Sequence, residues 1–352
     1  MRASQGFVVI VPLVILLLMV SAGAMLIVDS VTQQSRFSGQ INQQQRILTQ
    51  TAQQLEMAIA ASPIALRQSL PPATIGQQTT LVHTFSTLIN SAPVDHFELL
   101  TTDSTNSHIK LRQQLIRFPL LQAVPEAALM LSQPLPGSVG FTVYFSEPIP
   151  ADAPLTVWGR HHLIPSPERH RCVSSFFAET ICRPVLATAE PEAGIVSNSP
   201  AYPAPLLPAL FGATVTSLSR LSDFARDTSD CNTLNAATRG LIIVAGPCLI
   251  KAGQQIGSPT APVLIIATGT QLHQARYSQL NGLVIMLPND TFPPVDIRIH
   301  SEARINGALI VEGTLSAASI FTVQYNASVL RNLQTLPQLQ RVQPVIGSWR
   351  DF

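Results

Sequence analysis

Charge is what this sequence has least of. Asp, Glu, Lys and Arg together make 12% of its 352 residues, against roughly 25% in an ordinary soluble protein. Lysine is confined to Lys110 and Lys251, the arginines are scattered and the net charge is +1. With no basic run to follow a phosphate backbone, nucleic acid is excluded as a partner. The polar surface must be built from Gln, Ser, Thr and Asn, which suits an exported protein. There is no GxSxG elbow, no P-loop and no GxGxxG, so the chain carries no motif of a hydrolase, nucleotide or dinucleotide enzyme. No catalytic residue, cofactor or metal is assigned.

What is present begins with an apolar run. From Phe7 to Val28 no side chain is charged, and as a helix this stretch would be about 33 Å long, enough for a bilayer core of ~30 Å. Arg2 precedes it and Asp29 follows, so the bias of positive charge toward the cytoplasm leaves the rest of the chain outside. A secretory signal ending at Ala22-Gly23-Ala24 is the alternative, but the run continues through Met25–Val28, which a cleaved signal does not need. Beyond Asp29 the pattern becomes a stripe of Phe37, Ile41, Leu48, Leu55 and Ile59 on a Gln-rich background, predicting an amphipathic helix. It runs to about Ala60, with a kink at Pro63 and a stop at Pro71-Pro72.

Residues 73–183 read as a mixed α/β region, with short helical patterns around Thr79–Ile89 and Ile109–Phe118 and strand composition at 140–145 and 155–158. A Pro-rich linker and connecting segment occupies 184–230. Four similar apolar runs then follow, 240–246, 262–269, 282–287 and 307–313, their cores starting at Leu241, Val263, Leu283 and Leu309. A period of roughly 20–26 residues is that of a solenoid coil, and β-branched runs bounded by Gly fit buried strands. The expected class is therefore α+β: a long N-terminal hydrophobic and amphipathic helix, a mixed β-rich domain, and a short parallel β-helix over 231–352. Trp349 is expected to cap the solenoid's open end.

Ser4-Gln5-Gly6-Phe7, a short polar leader ending in Gly before a long apolar helix, resembles the prepilin peptidase site of type IV pilins. The segment is most similar to PilX-type minor pilins and, at the N-terminus, to K-type pseudopilins; the C-terminal runs and the closing residues 347–352 resemble PilX-like assembly proteins. The resemblance implies a leader at 1–6, cleavage between Gly6 and Phe7, a membrane and filament-core helix at 7–28 and a stalk at 29–70. It also implies prepilin peptidase, other pilin subunits and the lipid bilayer as partners. Pilins mostly carry Glu at the fifth mature position, where this chain has Val11. An unpaired amine in an apolar bundle is costly, which points away from the shaft and toward the tip.

Cys172, Cys182, Cys231 and Cys248 all fall on the exported side, where disulfides persist. Sequence neighbours suggest Cys172 with Cys182 and Cys231 with Cys248, one of three possible pairings. A metal site of His161, His162 and His170 beside Cys172 has no ligand spacing behind it, and Asp290 with Asp296 could at most form a weak Ca²⁺ loop. The function expected is a non-enzymatic minor pilin-like subunit, single-pass in the inner membrane with its β-rich domain periplasmic or carried onto a surface pilus. The alternatives are a tethered or secreted β-helix enzyme acting on carbohydrate, and a plain anchored scaffold.

Overall fold

The computed structural model describes residues 7–68, 73–74, 79–89, 92–102, 110–146, 155–162, 169–174, 180–184, 194–288, 293–348 and 350–351. Helix α1 runs from Phe7 to Gln68. Its later turns place Leu48, Ala52, Leu55, Ala58 and Ile59 on one stripe, and that stripe lies on Leu81, Phe97, Leu99, Leu111, Leu115 and Val342. These side chains belong to an antiparallel sheet of Thr79–Ile89, Ala92–Thr102, Lys110–Pro119 and Gln340–Pro344, in that order. Burial alternates along Ala92–Thr102, as in a sheet with one face covered and one face wet.

The chain leaves this sheet at Pro119 and rejoins it at Gln340, its direct partner in the register. Leu120 donates to the Leu339 carbonyl at 2.6 Å, closing the neck. Most of the described strands between form a stack of parallel coils. The first sheet of the stack runs 225–228, 240–244, 263–267, 282–286, 307–311, 127–131, 155–159 and 195–196, each strand parallel to the next. A second sheet runs 248–250, 271–274, 296–299, 320–325, 140–146 and 169–174. A narrow third links 255–256, 279–281, 304–306 and 323–325.

The order of rungs is not the order of the chain. Residues 127–196 build outward from the middle of the stack. Residues 197–224, with helix α2 (Leu206–Phe211) and a 3-10 turn at Leu218–Phe224, then cross the outside of the first sheet. From 225 the chain climbs back until 307–311 docks on 127–131.

Because of that crossing, both faces of the first sheet are buried. Ile242, Val244, Ile265, Val284 and Leu309 face the coil interior, while Leu241, Leu264, Ile266, Leu283 and Ile285 face α2 and helix α3 (Ala327–Thr335). A strand buried on both sides needs continuous apolar sequence rather than alternation. At ~1.5–3 kcal/mol for each buried aliphatic side chain, these runs are the largest stabilising feature of the molecule.

Two ladders fix the register. Asn306 Nδ2 donates to Asn281 Oδ1 at 2.8 Å and Asn326 Nδ2 to Asn306 Oδ1 at 3.0 Å, and Asn326 Oδ1 then caps α3 through the Ser328 and Val329 amides. Beside this ladder Gly282 and Gly307 have φ of +149° and +150°. Inside the coil Phe321 stacks on Phe141, whose ring lies under the Arg169 guanidinium. Arg169 is fully buried and donates to the Val139 and Pro136 carbonyls, and burial pushes its pKa down to about 10.

The expected α+β class is corrected to mostly β. Beyond α1, the α-helices among the described residues are only 6 and 9 residues long, and the helical patterns expected near 79–89 and 109–118 are the strands Thr79–Ile89 and Lys110–Pro119. Among the described residues no helix is long and apolar enough to cross a membrane. The parallel stack draws on residues 127–196 as well as on the C-terminal third. The segment expected to cap it contributes Gln340–Pro344 and Arg350–Asp351 to the antiparallel sheet, and Trp349 lies outside the described residues.

Candidate functional site

Helix α1 has two unlike halves. Its later part is covered: Thr51 and Leu55 are buried against the antiparallel sheet. The earlier part is apolar and bare, with Leu13 through Val20 all exposed, Leu16 at 65% and Met19 at 72%. Single exposed apolar residues are ordinary, but a contiguous run of this kind is a candidate contact surface. Of the junction residues, Gly6 lies outside the described residues; Phe7 opens α1, and its side chain and that of Val11 lie outside them too. Asp290 also lies outside.

The disulfides join Cys172 to Cys182 across neighbouring antiparallel strands, and Cys231 to Cys248 across the first coil. No described cysteine is free. Two such bridges indicate an oxidising, extracytoplasmic compartment. Cys172 is thereby consumed as a ligand; His161 and His162 are exposed and His170 is half-buried. Among the described residues no group of three or more His, Cys, Asp and Glu could hold a metal ion.

One serine, histidine and aspartate do meet, on the wet face of the antiparallel sheet. Ser86 Oγ lies 3.0 Å from His83 Nε2 and donates to Asp95 Oδ1 at 2.5 Å. In a nucleophilic triad the carboxylate holds the far ring nitrogen and the serine proton goes to the imidazole. Here the carboxylate takes the serine proton itself and is held by Arg117 at 2.6 Å. Burial pushes the Asp95 pKa up, but hydrogen bonds from Ser86 and Arg117 outweigh it and leave the pKa lowered. The arrangement stiffens a strand pair and does not activate the hydroxyl.

Two of the solenoid's carboxylates are likewise engaged. Asp296 accepts from His273 Nε2 at 3.2 Å and from Arg298 Nε at 3.0 Å. Burial raises its pKa, yet those bonds bring the net shift down. Glu302 is bound by Arg276, and that bond chiefly lowers its pKa. Neither can serve as the protonated acid of a glycosidase pair. Glu312, at the end of strand Arg304–Val311, has its pKa raised by burial but stands without a second carboxylate on its strand. Sequence reading missed the Asn ladder and the ion pairs; the paired Asn281-Gly282 and Asn306-Gly307 dipeptides, 25 residues apart, were the available signal.

No protein-family model matches the chain, no curated protein is significantly similar to it, and no solved structure matches its fold.

Proposed function

We propose that the chain is a minor pilin-like, non-enzymatic subunit of a type IV pilus or pseudopilus assembly system. Prepilin peptidase cuts after Gly6, the apolar start of α1 sits in the inner membrane and among the helices of other pilin subunits, and the β-rich body is presented outside. The observation that carries this reading is the bare apolar run Leu13–Val20 on a helix whose later turns are covered by their own sheet. A pilin stalk has that division: a first half for neighbours, a second half for its own domain. Two disulfides suit presentation outside the cytoplasm. The engaged carboxylates on the solenoid favour contact over catalysis. Val11, in place of the usual Glu, offers no carboxylate to the N-terminal amine of a neighbouring subunit and favours a tip position.

N-terminal mass analysis of the protein recovered from membranes tests the reading. A mature chain starting at methylated Phe7 is expected. A chain starting at Met25 would make it a secreted protein, and an intact Met1 on a chain never found in filaments would make it a plain anchored scaffold.

A further inference from the structure

The outer face of the second solenoid sheet holds a groove of about 420 Å³. A register column crosses it, Leu249, His273, Arg298 and Ile320, one residue from each of four successive rungs. Arg276 and His300 also line it. The two arginines are held in the same way. Arg298 spends only Nε on Asp296, and Arg276 spends only Nε on Glu302. Among the described residues the paired Nη atoms of both have no protein acceptor, and the two side chains are 57% and 58% exposed.

A guanidinium anchored through Nε keeps its plane fixed and its two-nitrogen fork free, which is the geometry that takes a carboxylate through two parallel hydrogen bonds. The local charge agrees. Lys251, Arg276 and Arg298 stand on these strands and turns against Asp296 and Glu302, three cations to two anions on a chain whose total is only +1. The wall also carries aliphatic side chains, with Leu249 38% and Ile320 56% exposed; its rings are the imidazoles of His273 and His300, and the exposed Tyr277 ring lies against the Arg276 guanidinium beside it.

We infer that this groove binds an acidic peptide segment of a partner protein, glutamate or aspartate carboxylates on the forks of Arg276 and Arg298 and aliphatic side chains on Leu249 and Ile320. Asp296 and Glu302 act as positioning residues for the two guanidinium groups. The inference goes beyond the pilin reading and stands on the solenoid alone.

Fluorescence anisotropy of the full-length chain with a labelled peptide of leucine and glutamate in equal number tests it. Saturable binding is expected, at least tenfold weaker when glutamine replaces glutamate in the peptide. The R276Q/R298Q double variant should lose at least tenfold, and R298K severalfold, because lysine keeps the charge but not the fork. Arg331→Gln, on α3, should leave binding unchanged. Absence of saturable binding, equal affinity for the glutamine peptide, or undiminished binding by the double variant would overturn the assignment. So would more effective displacement by an oligoglucuronate of equal charge than by unlabelled peptide.

Discussion

Adding one methyl group at Gly307 tests the solenoid register directly. A Cβ built there falls on the Gly282 carbonyl oxygen, far inside van der Waals contact, and lies 2.8 Å from its carbon. Non-bonded contacts of this kind rarely fall under about 3 Å, so two adjacent rungs must part by more than an ångström or the strand must turn out of register. Residue 307 also has φ of +150°, which costs a non-glycine residue about 1–3 kcal/mol. Overpacking a tight core adds roughly 1–3 kcal/mol. Gly307→Ala should therefore destabilise by about 2–6 kcal/mol, and at ~2–4 °C per kcal/mol for a body of this size its melting midpoint should fall by roughly 10 °C. Gly253→Ala is the comparison: φ there is +70° but nothing lies within 4 Å of the added carbon, so only the backbone cost of ~1 kcal/mol remains. The assay is far-UV circular dichroism on heating. A Gly307→Ala midpoint within 2 °C of the parent, or one above that of Gly253→Ala, would refute the parallel register of 282–286 with 307–311.

Gln274 is 3% exposed, sits between Ile250 and Ile299 in the register, and has both side-chain polar atoms without a partner; Gln274→Leu should raise stability by about 1–2 kcal/mol in denaturant titration. Replacing Cys231 and Cys248 together by Ser opens a link spanning 17 residues and should cost about 3 kcal/mol, a difference that disappears when the parent is melted under reductant. The Asp95 carboxyl, lowered in the fold, contributes stability that is complete above its unfolded pKa near 4. That contribution goes as pH falls through the lower folded value, so Asp95→Asn should flatten the acid limb of the stability profile. Glu312 has the opposite sign: its pKa is raised, ionisation opposes folding above that value, and Glu312→Gln should stabilise at pH 7 with the gain gone near pH 4. Truncation after Leu339 removes the strand pairing with Lys110–Pro119 and Val342 from the third core cluster, and hydrogen exchange should then rise in α1 near Leu55 while the solenoid amides stay protected.

The four Gly-bounded runs were legible because burial on both faces demands uninterrupted apolar sequence, and they do lie side by side in the first sheet. Their alignment was less so. The column contains Leu241, Leu264, Leu283 and Ala308, preceded by Gly240, Val263, Gly282 and Gly307. Counting from the first apolar residue therefore slips by one where Val263 takes the glycine position. The strands at 79–89 and 110–119 were misread as helical for a related reason. Leu111 and Leu115 are four apart, as on a helix face, and the residue that restores the alternation is the buried polar Gln113, which donates to the Val345 carbonyl and Ser348 Oγ. Local pattern carries no notice of a partner more than two hundred positions away.

The same distance explains why the stack's order could not be read. Strand 127–131 pairs with 307–311 and 155–159, and Pro119 pairs with Gln340; the pairings of Leu129 with Leu309 and of Pro119 with Gln340 join residues 180 and 221 positions apart. Such pairings close long loops before they gain anything, so they form late. The antiparallel sheet under α1 is complete only with 340–344, a strand that follows the solenoid in the chain. Without that strand Leu48, Leu55 and Ala58 keep Leu81, Phe97, Leu99, Leu111 and Leu115 to lie on and lose Val342, whereas Leu13–Val20 are bare with or without it. The two parts of α1 thus differ: Leu13–Val20 are bare, and the turns around Leu55 rest in part on Gln340–Pro344.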